Sequence, residues 1–255
     1  FILLDGEPHT PDYATYETKA NVACVMYAEE EAGFLAGYAA VMDGMRTLGF
    51  EGGMAVPAVV AFGYGYLQGV EAAATELGLE DGSVKVFYHY TGDFAETDAN
   101  KATAKAMIAS GAEVIFGCGG SVGKSVFAAA AEGNIKSIGV DVNQKGDSET
   151  VITSATKGLG ASVEAVLGSI YDGTFDSTYG GKTTYFTAAN DGVGLPDDYE
   201  RFTTFTKEQY EAVFAKLVDG TIDPIRTFEL ADAAAVTAEQ LQTELGLVKV
   251  VVEKR

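Results

Sequence analysis

The chain has 255 residues, 47% of them apolar, and carries 37 acidic against 17 basic side chains for a formal net charge of −20. Such a length can bury one large core or two smaller ones, and the charge excludes phosphate backbones and anionic lipid as partners. His9 and His89 are the only histidines, and Cys24 and Cys118 both lie inside apolar strand-like runs, so the composition offers neither a zinc site nor a disulfide framework.

The apolar run Phe1-Ile-Leu-Leu reads as a buried strand ending at Asp5, and residues 6–20 as a polar loop with Pro8 and Pro11. Residues 21–27 form a second strand. Glu29, Glu30 and Glu31 then open a long helix, where acids suit the positive end of the helix dipole, a better account of them than catalysis. Residues 52–56 read as a short strand, and Pro57 starts a helix in which Phe62, Tyr66 and Val70 recur at helical spacing. Most of that stripe belongs to the core; Phe62, nearest the strand end, is the residue placed to face a cleft. Residues 83–90 alternate as a strand, residues 91–94 turn, and residues 96–110 form a helix.

The next stretch is Glu113-Val-Ile-Phe-Gly-Cys-Gly-Gly-Ser-Val-Gly-Lys-Ser-Val-Phe, followed by Ile138-Gly-Val-Asp141. A strand, a glycine-rich turn, a helix and a strand closing on an acid make a βαβ unit. Gly119 and Gly120 let the backbone approach a ligand, and Asp141 sits where parallel strands end and ligands gather. Two readings compete. Cys118 to Ser125 is one residue from the phosphate-binding G-x-x-x-x-G-K-S loop, which would make this a P-loop-like nucleotide-binding protein. Cys118 replaces the first required glycine, however, and no base pocket or switch segment accompanies the loop. The other reading is a sugar or nucleoside hydroxyl held by backbone amides and Asp141.

Residues 151–154 are a strand leading to Lys157 and Gly158, and residues 161–171 a helix. Residues 182–188 alternate as an antiparallel or edge strand. A helix runs from Thr206 to Val218 and stops at Asp219-Gly220. The tail, residues 237–255, holds one more helix and a valine-rich strand flanked by lysines. The series predicts an α/β fold of two Rossmann-like lobes with parallel sheets and a cleft between them. The division falls near residues 78–83, giving an N-terminal lobe (1–80, incomplete), a C-terminal lobe (81–190) and a crossover and C-terminal segment (191–255). No stretch is apolar over the roughly 20 residues a spanning helix needs, and no signal peptide is visible.

Asn21-Val, then Glu30-Glu-Ala-Gly-Phe-Leu-Ala-Gly-Tyr, then Gly52-Gly-Met-Ala-Val-Pro-Ala-Val-Val-Ala-Phe-Gly-Tyr-Gly-Tyr resemble the BMP (basic membrane protein, PnrA-like) family of substrate-binding lipoproteins. Phe94, the Gly119-Gly-Ser-Val-Gly turn, Ile138-Gly-Val-Asp-Val-Asn-Gln144, Thr153-Ser-Ala-Thr-Lys157 and Asp191-Gly-Val-Gly-Leu195 extend the match over about two hundred residues, more specific than any one motif. The resemblance implies a type I periplasmic-binding-protein fold feeding an ABC importer. It also implies an extracytoplasmic location at the cell surface or in the periplasm, a membrane attachment only through a lipid anchor outside this sequence, and purine nucleosides as ligands. It implies two or so further βα units before Phe1, with an Asp and an aromatic that contact the nucleoside and are absent here.

On that resemblance, Asp141 accepts from two vicinal ribose hydroxyls and Lys157 balances its charge and donates to the same sugar. Phe94 or Phe116 stacks on the base, core packing being an equal or better reading of Phe116, and Gly119 and Gly120 bring backbone N–H groups close. A capping acid and a solvated lysine are the alternatives for Asp141 and Lys157. No catalytic residue, metal site or cofactor is expected: there is no G-x-S-x-G elbow, and Asp141 alone does not make a calcium cluster. A sugar- or nucleoside-sensing regulator domain is the remaining alternative, but its basic helix-turn-helix is missing.

Overall fold

The computed structural model describes residues 1–12, 14–228, 232–242 and 245–252. The chain opens with β1 (Ile2–Leu4) and, after a polar loop, β2 (Ala23–Tyr27). α1 (Glu29–Met42) follows at once with the three glutamates in its first turn. β3 (Thr47–Gly52) leads into α2 (Pro57–Glu76), with Pro57 at the helix start, where an absent N–H costs nothing. Next come β4 (Val84–Tyr90), α3 (Asp98–Ala109), β5 (Val114–Cys118), α4 (Val122–Gly133), β6 (Lys136–Asp141) and β7 (Val151–Lys157). α5 (Leu159–Tyr171), α6 (Phe175–Thr178), β8 (Lys182–Phe186) and β9 (Val193–Gly194) come after it. The chain then forms α7 (Lys207–Val218), started by a Thr206–Gln209 capping box, α8 (Ala238–Gln242) and β10 (Val248–Val252). Residues 253–255, the end of the tail with one of its expected flanking lysines, lie outside the described residues.

Two sheets result, one of three strands in the order β1-β2-β8 and one of seven in the order β10-β4-β3-β5-β6-β7-β9. Within these two sheets the pairings are parallel except the two-residue ladder between β7 and β9. From β3 the chain first builds outward to β4 and then turns back to β5. The C-terminal ends of β3 and β5 therefore form a topological switch point, the place where open α/β sheets bind ligands.

The large sheet is covered on both faces, as a parallel sheet must be. Phe50, Tyr66, Tyr88 and Phe116 pack in the core under α1 and α2, while Phe87, Met107, Ile115 and Phe127 fill the side of α3 and α4. α1 and α2 touch through glycines. A methyl group on Gly37 would lie 2.2 Å from Tyr66 O, and one on Gly69 would lie 1.9 Å from Phe34 O. Gly33 and Gly65 make the matching contacts at 2.1 Å with Phe62 O and Glu30 O, so a small residue every fourth position on each helix lets the two backbones meet.

Three segments pass between the sheets. Tyr27 leads from the small sheet into α1, which packs on α2 and against β7; Lys157 leads from the large sheet into α5, which packs on β1; and residues 187–192 lead from β8 to β9. They are stitched together by Ala28 N to Phe186 O at 2.9 Å and Gly158 N to Gly192 O at 2.7 Å.

Three expectations change. The division near residues 78–83 falls inside the seven-stranded sheet, because β3 pairs with β4 on one side and β5 on the other; the small sheet instead gathers strands from both ends of the first 190 residues. The strand read at 52–56 is β3, ending at Gly52, since the β-branched and aromatic stretch before it carries the pairing. β8 lies at a sheet edge as read, but it is parallel to β2.

Candidate ligand-binding site

The C-terminal ends of β1, β6 and β7 bring three charged side chains together. Asp5 follows β1 and Asp141 ends β6; both have left-handed backbones, with φ of 55° and 64°. Aspartate tolerates that region better than most residues, yet such positions hold strain and gather at functional sites. Lys157 ends β7 with its side chain only 4% exposed. Its Nζ donates to Asp5 Oδ2 at 2.9 Å and lies 3.2 Å from Asp141 Oδ1 and 3.3 Å from Glu29 Oε1. The rings of Tyr27 and Phe62 stand 5.6 and 5.3 Å from the ammonium. Burial works against the charge of Lys157, but Asp141, Glu29 and Asp5 more than offset it and hold the ammonium above the usual lysine range.

The cluster is not internally saturated. Lys157 has three donors and, among the described residues, makes one hydrogen bond of good geometry. Asp141 Oδ1 and Glu29 Oε1 are buried and receive none from the described residues, so their approach to Lys157 is an ion contact without hydrogen-bond alignment. The Asp5 and Asp141 side chains remain 38% and 44% exposed. Exposed carboxylates beside a donor with free valences suit a neutral ligand carrying hydroxyls, which can both donate and accept. Glu29 also accepts from Arg226, which reaches Glu30 as well. Two cations against four carboxylates (Asp5, Glu29, Glu30 and Asp141) leave a formal charge of −2, hostile to a phosphate.

The glycine bend after β5 stands at the switch point. Gly119 and Gly120 have φ of 115° and 54°, and Phe94 covers them: a methyl group on Gly120 would lie 2.8 Å from Phe94 Cβ, and one on Gly53 2.4 Å from its ring. The Phe94 side chain is half-buried, with its ring packed against this glycine backbone. The bend is not an open phosphate cradle. Ser121 N donates to Phe94 O at 2.8 Å, Val122 N to Gly119 O and Lys124 N to Ser121 O, so those helix-start amides are already used. Ser125 is buried and bonded to the backbone of Thr97, while Lys124 is exposed. The resemblance to a nucleotide loop is thus one of letters.

Of the other expected site residues, Phe62 is 2% exposed and lies beneath Lys157. Phe116 is fully buried among Phe50, Phe62 and Tyr66 and belongs to the core, because the β5 residues are covered on both faces. Asp5 and Arg226 are residues the sequence reading missed, and Asp5 is the one at a strand end. The signal for Asp5 was the same as that for Asp141, an apolar run closing on an acid. A cavity of about 480 Å³ lined by Phe1, Asn21, Ile170 and Phe175 lies at the opposite, N-terminal end of the small sheet, away from this cluster.

Two parallel α/β sheets whose strand ends face each other across a polar cluster define the type I periplasmic-binding-protein class. A solute-binding protein of an ABC transporter system from Aeropyrum pernix K1 has the same fold, with a TM-score of 0.73 at 24% identity over 94% of this chain and 74% of that one. The family model "ABC transporter substrate-binding protein PnrA-like" matches residues 12–223, and the chain belongs to that family. The ABC transporter nucleoside-binding protein BmpA of Lactococcus lactis is 29% identical over 241 residues, 87% of this chain and 63% of that protein. An uncharacterized lipoprotein of Pyrococcus abyssi is 29% identical over 229 residues, 84% of this chain and 53% of that protein. The chain thus spans between about half and two thirds of the length of these relatives.

Proposed function

We propose that this chain is the ligand-binding part of an extracytoplasmic substrate-binding protein that delivers a purine nucleoside to an ABC permease, attached to the membrane by a lipid anchor outside this sequence and performing no chemistry on its cargo. The observation that carries the reading is Lys157, buried between the two sheets with only one of its three donors bonded among the described residues, beside the half-exposed Asp5 and Asp141. Vicinal ribose hydroxyls would accept from Lys157 and donate to the two carboxylates, and the half-buried ring of Phe94 would receive the base. Family membership supports delivery to a permease, and the names of the Lactococcus and Pyrococcus relatives support a nucleoside and a lipid anchor. Binding would draw the two sheets together about the three crossing segments and so shift an open–closed equilibrium.

The test is calorimetric titration of the protein with guanosine, inosine and ATP plus magnesium. The reading expects heat from a nucleoside, none from ATP, and loss of the nucleoside heat in Asp141→Ala. Heat from ATP alone would overturn it. Free base released during incubation would show catalysis and overturn the part of the reading that excludes it.

A further inference from the structure

A segment remote in sequence reaches the same cluster from behind. Residues 225–228 are fastened to α2: the Gln68 amide donates to Ile225 O and accepts from Ile225 N, both at 2.8 Å, and Phe228 meets the Tyr64 ring edge-on at 5.4 Å. From this anchorage Arg226 extends to the point where β2 passes into α1. It donates to Tyr27 O at 2.9 Å, to Glu29 Oε2 at 2.6 Å and to Glu30, and its guanidinium stands 5.4 Å from the centroid of the Tyr185 ring on β8.

Glu29 is the connecting element. Its side chain is fully buried, with Oε2 on Arg226 and Oε1 3.3 Å from Lys157 Nζ. A carboxylate in that position requires a cation. While Arg226 supplies one, Lys157 is left to Asp5, Asp141 and the ligand. Among the described residues Lys157 is the only other cation in contact with Glu29. Without Arg226 the ammonium would be turned into hydrogen-bond alignment with Glu29 Oε1, 3.3 Å away, at the expense of Asp5. The forked guanidinium, which serves two carboxylates and a carbonyl at once, is a role that lysine cannot fill.

We propose that Arg226 is a positioning residue for the ligand site, acting through Glu29 to keep the donors of Lys157 available at the strand ends. This rests on the nucleoside reading for its affinity measurement but not for its structural one. The experiment follows two signals, guanosine affinity by calorimetry and the side-chain ¹⁵N resonance of Lys157, assigned by its loss in Lys157→Met. Arg226→Gln is expected to weaken guanosine binding by about tenfold, the size of an ordinary coupling between sites, and to shift the Lys157 resonance. Adding Glu29→Gln removes the carboxylate that competes for the lysine, and is expected to restore both signals most of the way. Arg226→Lys falls between wild type and Arg226→Gln, and takes its place in the comparison if the glutamine variant does not fold. A Lys157 resonance unmoved in Arg226→Gln, or a double variant no better than the single one, would overturn the proposal. If wild-type protein binds neither guanosine nor inosine, the nucleoside reading fails, and the resonance alone still decides the role of Arg226.

Discussion

Replacing Lys157 by Met keeps most of the side-chain volume and removes the charge that three carboxylates share. At an effective dielectric of about 20, a unit pair 3.3 Å apart, the distance to Glu29, is worth about 5 kcal/mol. Adding three such figures would overstate the loss. The Asp5 and Asp141 side chains are each more than a third exposed, so water screens them and their share is discounted, less for Asp141, whose Oδ1 facing Lys157 is buried. Glu29 is the group that matters, since it is fully buried, and Arg226 still holds its other oxygen. Breaking a buried pair by removing one member costs about 3–5 kcal/mol; with a second cation in place we expect the lower end, about 3 kcal/mol. The assay is urea unfolding, with a lower midpoint and an unchanged slope. Because the ammonium is held above its ordinary range, its contribution is complete below about pH 10 and is lost only as pH rises through the higher folded value. The deficit should therefore match at about pH 6 and about pH 9. A variant as stable as wild type would refute the reasoning, for it would mean that Glu29 finds enough in Arg226 alone.

Three further outcomes follow from the same geometry. Gly69→Ala should destabilise by about 3 kcal/mol or more despite the better helix propensity of alanine, because its methyl group would meet the Phe34 carbonyl at 1.9 Å and backbone cannot step aside; a melting temperature at or above wild type would contradict the packing described. Burial raises the Glu30 carboxyl from 4.5 to about 6 despite Arg226 beside it. The folded state then holds that proton more tightly than the unfolded chain, so this group's contribution to stability falls as pH rises from about 4.5 to about 6, by about 2 kcal/mol. Comparing wild type with Glu30→Gln across that window isolates it, and parallel pH profiles would refute it. Phe94→Ala removes the aromatic face above the glycine bend and should weaken nucleoside binding by about 1–3 kcal/mol, the worth of a base stack, while a ligand lacking a base should lose much less; equal losses for guanosine and ribose would remove Phe94 from base recognition.

The site was half legible in the sequence. Asp141 and Lys157 stood out because each closes a buried run, and the structure brings their charges to within 3.2 Å. Asp5 closes such a run too, but four apolar residues at the start of a chain carry less signal than a full βαβ unit. The glutamates at the start of α1 suit the helix dipole as read, yet Glu29 also joins Lys157 to Arg226, some 200 residues further on, and no local pattern encodes that link. The division of the chain failed for a related reason. Hydrophobic periodicity identifies strands but not their partners, and β3 could have closed the first sheet as well as opened the second. Its membership is decided by packing, by Gly49 against Ile115 and Met107 and by Gly52 against Tyr90. The nucleotide-like bend matched in letters because a tight glycine turn before a helix serves many ends, and here Phe94 lies where a phosphate would need open amides.

A crystal structure of the protein grown with guanosine tests the central claim most directly. The account predicts ribose hydroxyls within hydrogen-bonding distance of Asp141 and Lys157, with the base against Phe94. Guanosine bound elsewhere, with the Lys157 cluster closed on itself and untouched, would contradict it.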